Sequence, residues 1–280
     1  MIPQRDLSLL SNRLAERGGH RIPEAVLERD YCLSWVLVGL SRSPLRDRLV
    51  FKGGTALKKC YFEDYRFSED LDFTLTEETS WEEIELGLSV AFEETRKDSG
   101  VEIRLDHLDR QSHGNSHTFY LAYEGPLPGG AGKTVKTDIT IRERIVSPLE
   151  ERPVLRGYEE YRDLPEGARI RVYSLDEMAV EKTVALMDGA RNEPRDLYDL
   201  WFLTVNDYVR LPDLLNLVVR KLEFRELTLA QVGTEFRTKE ARLRRLWQVR
   251  LAAQMAELPE FDGVYRAVQR ALRQAGISRR

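Results

Sequence analysis

With 280 residues the chain is long enough to bury a sizeable core, as one large domain or two smaller ones. It is 42% hydrophobic and 32% charged, which excludes a disordered or fibrous chain, and no apolar run approaches the length of a bilayer. The net charge of −4 hides an asymmetry: from residue 206 onward fifteen Lys and Arg face nine Asp and Glu, leaving −10 for the earlier part. An acidic portion suits cations and a basic end suits polyanions, although solvated helix faces account for the same runs.

The opening MIPQRDLSLLSNRLAERGG lacks the cationic start and apolar stretch of a secretory signal, and no membrane partner is expected. The only two cysteines, Cys32 and Cys60, offer neither a disulfide framework nor metal spacing. They read as core residues of a cytoplasmic protein.

Residues 22–40 place Val26, Leu27, Tyr31, Leu33, Val36 and Leu37 at helical spacing behind Pro23. RLVFKGG then reads as a strand ending in a glycine turn, and TALKKCYF as a helix that Thr55 can cap. In LDFTL, Leu71, Phe73 and Leu75 alternate with Asp72 and Thr74, which is strand periodicity. WEEIELGLSVAFEETRKDSG is an amphipathic helix with acids at its start. VEIRLDHL, HTFYLAYEG and TVKTDITIRE are three further strands, so residues 50–145 describe a mixed sheet with helices on it. Residues 151–173 read as a connection, and from Ser174, which forms a capping-box pattern with Glu177, nearly everything reads as helix. The expected fold is α/β, divided into a core over residues 1–158 with N-terminal helices and a mostly helical C-terminal domain over 159–280.

Chemistry concentrates in FKGGTALKKCYFEDYRFSEDLDFTL. A strand passing through Gly53-Gly54-Thr55 into a helix lets a phosphate approach backbone N–H groups, since a β-carbon there would crowd the anion. A glycine pair alone is as well explained by a plain turn. Asp70 and Asp72, two apart on a strand, face one side roughly 6.5–7 Å apart. Their carboxylates repel by roughly 3 kcal/mol at ~6 Å and an effective dielectric of 20, and a divalent cation between them reverses that sign. An isolated D-x-D is equally a solvent-facing strand edge. Asp138, inside the alternating TVKTDITI, joins them if the two strands are neighbours. Three carboxylates around two cations are what metal-assisted phosphoryl displacement requires.

Two other patterns lead elsewhere. GGAGKT at 129–134 lacks the glycine a P-loop needs at position 127, which is Leu127, and precedes a strand, so it reads as a hairpin turn. His113 and His117 flank a Gly-Asn turn with no acidic or cysteine partner at metal spacing.

GGT, a short helix, RFSEDLDF, the later TDI strand and a downstream EK…RDLYDL together resemble the AbiEii/AbiGii-type nucleotidyltransferase toxins. These toxins, to which the mycobacterial MenT proteins are related, belong to the DNA polymerase β nucleotidyltransferase superfamily. The resemblance covers about residues 26–203 and implies a polymerase-β-like core. It implies that Gly53, Gly54 and Thr55 form the phosphate-binding turn, with Ser68 the serine of R-F-S-x-D. Asp70 and Asp72 match the metal pair for Mg²⁺ or Mn²⁺, and Asp138 the third carboxylate, which helps activate the attacking hydroxyl. Lys182 and Asp196 match two further active-site positions, with Lys182 able to offer a point charge to a triphosphate. The implied reaction moves a nucleoside monophosphate from an NTP to the 3′ end of tRNA, under the control of a cognate antitoxin. The basic residues Arg237, Lys239, Arg242, Arg244, Arg245 and Arg250 suit a phosphate-tracking face. The rival readings are a protein nucleotidyltransferase that adds AMP to a protein hydroxyl and a catalytically silent NTP-binding module.

Overall fold

The alternation in LDFTL sets the centre of the fold. Leu71, Phe73 and Leu75 are buried on one face of their strand, while Asp72 turns to the other and stays half-buried. A computed structural model describes residues 1–18, 21–109, 114–129 and 132–278. Over these it forms a seven-stranded sheet from β1 (Leu49–Lys52), β2 (Leu71–Leu75), β3 (Glu102–Leu108), β4 (Ser116–Glu124), β5 (Thr134–Thr140), β6 (Leu149–Pro153) and β7 (Arg169–Tyr173). The strand order is β3-β4-β5-β2-β1-β7-β6. The sheet is mixed: β2 runs antiparallel to β1 but parallel to β5, and β7 runs parallel to β1.

β6 and β7 lie largely within the stretch read as a connection, so the sheet is wider than the sequence reading gave. RIRVY does alternate, but over too few residues to stand out from a stretch rich in proline and glycine. The chain divides into two compact units. The first holds residues 1–143, 149–172 and 254–256, and the second holds 144–148, 173–253 and 257–280.

In the first unit, α1 (Gln4–Gly18) precedes α2 (Glu24–Leu40), which is buried from Leu27 onward on nearly every side. That explains its apolar residues all round. α4 (Trp81–Ser99) starts at a full capping box between Ser80 and Glu83 and stops at Gly100. α2 and α4 touch closely at Gly39, where a β-carbon would come within 2.3 Å of the Ala91 carbonyl. Cys32 and Cys60 are buried free thiols, and burial pushes Cys60 up to about 12 and Cys32 well above its ordinary value, which disfavours the thiolate of both.

α3 (Gly53–Ala56) runs directly into a π turn over Leu57–Tyr61. Thr55 does not cap this helix. Lys52 is the N-cap residue, and the Thr55 hydroxyl instead donates to the Asp70 carbonyl, tying helix to strand. The π turn buries Lys59, which pairs with Asp30 at 2.7 Å. It also buries Lys58, which donates to the Glu63 and Tyr65 carbonyls and the Tyr158 hydroxyl, each at 3.1 Å.

Burial lowers the Lys58 pKa to about 8, only partly opposed by the field of Asp30. Between that value and the unfolded value of ~10.4 the unfolded chain binds more protons, so this group raises stability as pH climbs through the window. Lys58→Met is expected to flatten the rise by ~1 kcal/mol per pH unit, measured by denaturant unfolding near neutrality and at about pH 9.5.

The second unit is helical: α5 (Leu175–Met187), α6 (Pro194–Val205), α7 (Leu215–Phe224), the short α8 (Leu229–Val232) and α9 (Glu235–Thr238), α10 (Glu240–Leu251) and α11 (Phe261–Gln274). Its core gathers Leu197, Leu200, Phe236, Trp247, Phe261 and Tyr265, with the Phe236 and Tyr265 rings stacked 4.8 Å apart. Only half of the expected capping box at α5 forms. Ser174 accepts from the Glu177 amide, but the Glu177 carboxylate accepts instead from the Val146 and Ser147 amides and pairs with Lys221. Among the described residues no helix is long and apolar enough to cross a membrane.

Candidate active site

Strand register assembles the site in the first unit. Asp72 on β2 lies opposite Asp138 on β5, Thr118 on β4 lies opposite Asp138, and Lys52 on β1 lies opposite Asp72. Residues opposed across a sheet share a face, about 4.8 Å from strand to strand, so Lys52, Asp72, Asp138 and Thr118 form one row over four strands. Asp70 stands just before β2, with its carbonyl held by Thr55.

The expected neighbouring of the two aspartate strands is therefore present, but the carboxylates are not drawn to one point. Among the described residues no group of three His, Cys, Asp or Glu side chains is gathered to hold a metal ion. Asp138 is engaged locally: the Lys136 ammonium lies 2.6 Å from its Oδ2, and the Thr118 hydroxyl donates to its Oδ1. Burial works against the charge on Lys136. The hydrogen bond to Asp138 and the fields of Asp138, Asp70 and Asp72 outweigh it and hold the Lys136 pKa above its ordinary value. All three aspartates thus act on one cation. Such hard oxygen donors on adjacent strands fit a divalent metal, provided that Lys136 gives up Asp138.

The glycine turn abuts this row. Gly53 has φ +79°, and a β-carbon on it would come within 2.6 Å of Asp72 Oδ2. One on Gly54 would meet the Arg66 guanidinium at 2.4 Å and the Ser68 hydroxyl oxygen at 3.4 Å. Arg66 is buried and donates to the Phe67 carbonyl and Gln254 Oε1. Gly53→Ala is expected to lower stability by about 1–2 kcal/mol through its left-handed backbone. The same β-carbon would push the Asp72 carboxylate out of its place in the row. Thermal unfolding measures the loss of stability.

Lys182 and Asp196 belong to the second unit, where they form a buried ion network. The Lys182 ammonium lies 2.7 Å from both Asp196 and Asp199, and Arg191 reaches Asp196 at 2.6 Å. Burial opposes the Asp196 charge, yet Lys182 and Arg191 hold its carboxyl below the usual carboxylate range. Asp199, one helical turn after Asp196 on α6, is a full member of this network.

Lys136, Thr118 and Arg66 escaped the sequence reading. Lys136 was findable, because two residues before Asp138 on a strand means the same face. Arg66 stands in the R-F-S-x-D motif, but its place against Gly54 depends on tertiary approach, and Thr118 left no local signal. Lys239 must be removed from the basic face: it is 3% exposed, and its ammonium donates to the carbonyls of Ala185, Leu186, Asp188 and Arg191 around the end of α5. Arg237, Arg242, Arg245 and Arg250 are exposed, while Arg244 is paired to Asp262 and Glu240. β4 and β5 pair antiparallel as the expected hairpin, although residues 130 and 131 of its turn lie outside the described residues. So does His113, while the His117 ring packs 5.3 Å from that of Trp81.

The first unit is thus built on a mixed α/β sheet on which Asp72 faces Asp138 of the parallel neighbouring strand, with a glycine turn pressed against Asp72. The sequence matches the family described as nucleotidyl transferase AbiEii toxin, type IV toxin–antitoxin system, over residues 35–274. The chain belongs to this family, and it is an NTP-using nucleotidyltransferase whose system includes an antitoxin. Among solved structures the fold is similar to MenT4, a nucleotidyltransferase toxin from Mycobacterium tuberculosis H37Rv. The TM-score is 0.65 at 19% identity, covering 96% of this chain and 89% of that one. No curated protein sequence matches the chain.

Proposed function

We propose that this toxin transfers a nucleoside monophosphate from an NTP to the 3′ end of tRNA in the cytoplasm, releasing pyrophosphate, and so blocks translation. The observation that carries the reaction type is the register of Asp72 against Asp138, with Gly53 pressed on the Asp72 carboxylate. The tRNA acceptor is supported by family resemblance and by the exposed arginines of the second unit.

Asp70, Asp72 and Asp138 are the residues that would hold Mg²⁺ or Mn²⁺, which when bound supplies charge neutralisation for the triphosphate and the attacking oxygen. The chain supplies position. The turn at Gly53-Gly54 carries no β-carbon, so its backbone lies directly against the Asp72 carboxylate and the Arg66 guanidinium, and phosphate oxygens would meet it beside these charged groups. Asp138 orients the acceptor hydroxyl and takes its proton. Much of the rate of such a transfer comes from holding the reacting groups in line. We further propose that the buried Lys182–Asp196 network is required for transfer, so that Lys182→Met and Asp196→Asn each lose activity.

The test incubates purified protein with labelled NTPs and either total RNA or total cell protein. Label is expected in RNA of tRNA size, at its 3′ end. Label entering protein alone would replace this reading by protein nucleotidylation.

A further inference from the structure

Each carboxylate oxygen of Asp138 already has a partner, one on its own strand and one on β4. Lys136 and Asp138 are two apart on β5, so their side chains share a face, and the Lys136 ammonium meets Oδ2 at 2.6 Å. Thr118, directly opposite in register, donates to Oδ1. Asp72 lies opposite Asp138 on the other side, with Lys52 beyond it, so the two facing carboxylates repel each other between Lys136 and Lys52. At ~5 Å and an effective dielectric of 20 that repulsion is roughly 3 kcal/mol, and the ammonium offsets it. Among the described residues no three-carboxylate group is gathered at this row.

We propose that Lys136 is the built-in counter-ion of this centre: its ammonium holds the metal's place at Asp138, and a divalent cation binds only by displacing it. The proposal rests on the reading of Asp70, Asp72 and Asp138 as metal ligands, and it adds a consequence which that reading lacks. Metal affinity in the absence of nucleotide is held down by competition from the protein's own side chain. The displaced ammonium, still tethered to β5 beside the glycine turn, becomes available to an anion, so nucleotide phosphate and metal should favour each other's binding. An ordinary surface ion pair on a strand has neither property.

The experiment titrates the full-length chain with Mn²⁺ alone, without nucleotide, and follows free Mn²⁺ by electron paramagnetic resonance. The variants are Lys136→Met, Lys136→Arg and Asp72→Asn. Lys136 is 40% exposed, so its loss should leave the fold intact, and circular dichroism checks this. Lys136→Met is expected to bind Mn²⁺ about tenfold more tightly than the natural chain, as removal of one close positive charge implies. Lys136→Arg, which keeps the charge, should stay within a few-fold of the natural chain. Equal or weaker binding by Lys136→Met overturns the counter-ion proposal. If in that case Asp72→Asn has lost Mn²⁺, the metal-ligand reading survives on its own. If Asp72→Asn binds as the natural chain does, or if no form binds Mn²⁺, both fall together.

Discussion

Asp72→Asn is expected to abolish nucleotide transfer in a chain that still folds. The loss should be on the order of 10³-fold in a single-turnover assay, the scale on which one preorganised charge at a reacting centre matters. The variant keeps the size and strand position of Asp72 but removes the charge that lies opposite Asp138 and beneath Gly53. Because Asp72 faces Asp138 on one side and Lys52 on the other, its neutralisation removes repulsion and attraction together, and the thermal midpoint should change little. Circular dichroism and a melting curve separate loss of chemistry from loss of fold. Transfer at the natural rate in Asp72→Asn would show that the row of charges across β5, β2 and β1 is not the reacting centre.

The largest loss of stability should come from the second unit. Lys221 and Glu177 are both fully buried, 2.8 Å apart, and Lys221 also reaches Glu181 at 2.6 Å and the Arg144 carbonyl at 2.7 Å. The other Glu177 oxygen accepts from the Val146 and Ser147 amides, so this one cluster anchors residues 144–148 to α5 and α7. Lys221→Met leaves the Glu177 charge buried without its cation, and this is expected to cost about 3–5 kcal/mol in denaturant unfolding. Adding Glu177→Gln should recover part of that loss, because a neutral amide no longer needs the ammonium and can still accept from the two amides. A double variant whose destabilisation equals the sum of the singles would mean that the two side chains do not depend on each other.

The parts of this molecule legible in the sequence share one property: their signal lies within a few residues. The glycine turn, the D-x-D pair, the alternation of LDFTL and TVKTDITI and Pro23 ahead of α2 are local patterns with a period or a cap behind them. β6 and β7 were hidden because each is five residues long in a stretch rich in proline and glycine. Lys239 looked like part of a basic surface because charge in a sequence does not say whether it faces water. Burial against four carbonyls is a property of the packed unit.

By itself the amino-acid order determined which residues are available for phosphate and metal chemistry, their alternation on strands and the family to which they belong. It also set the change from sheet to helices along the chain. Tertiary structure alone decided that Asp138 pairs in register with Asp72, that Arg66 lies behind Gly54, and that Lys136 and Thr118 take the oxygens of Asp138. The physical reason is range. Strand period and helix caps act between near neighbours, whereas register and charge compensation arise only when distant strands share one sheet and each buried charge must find its partner.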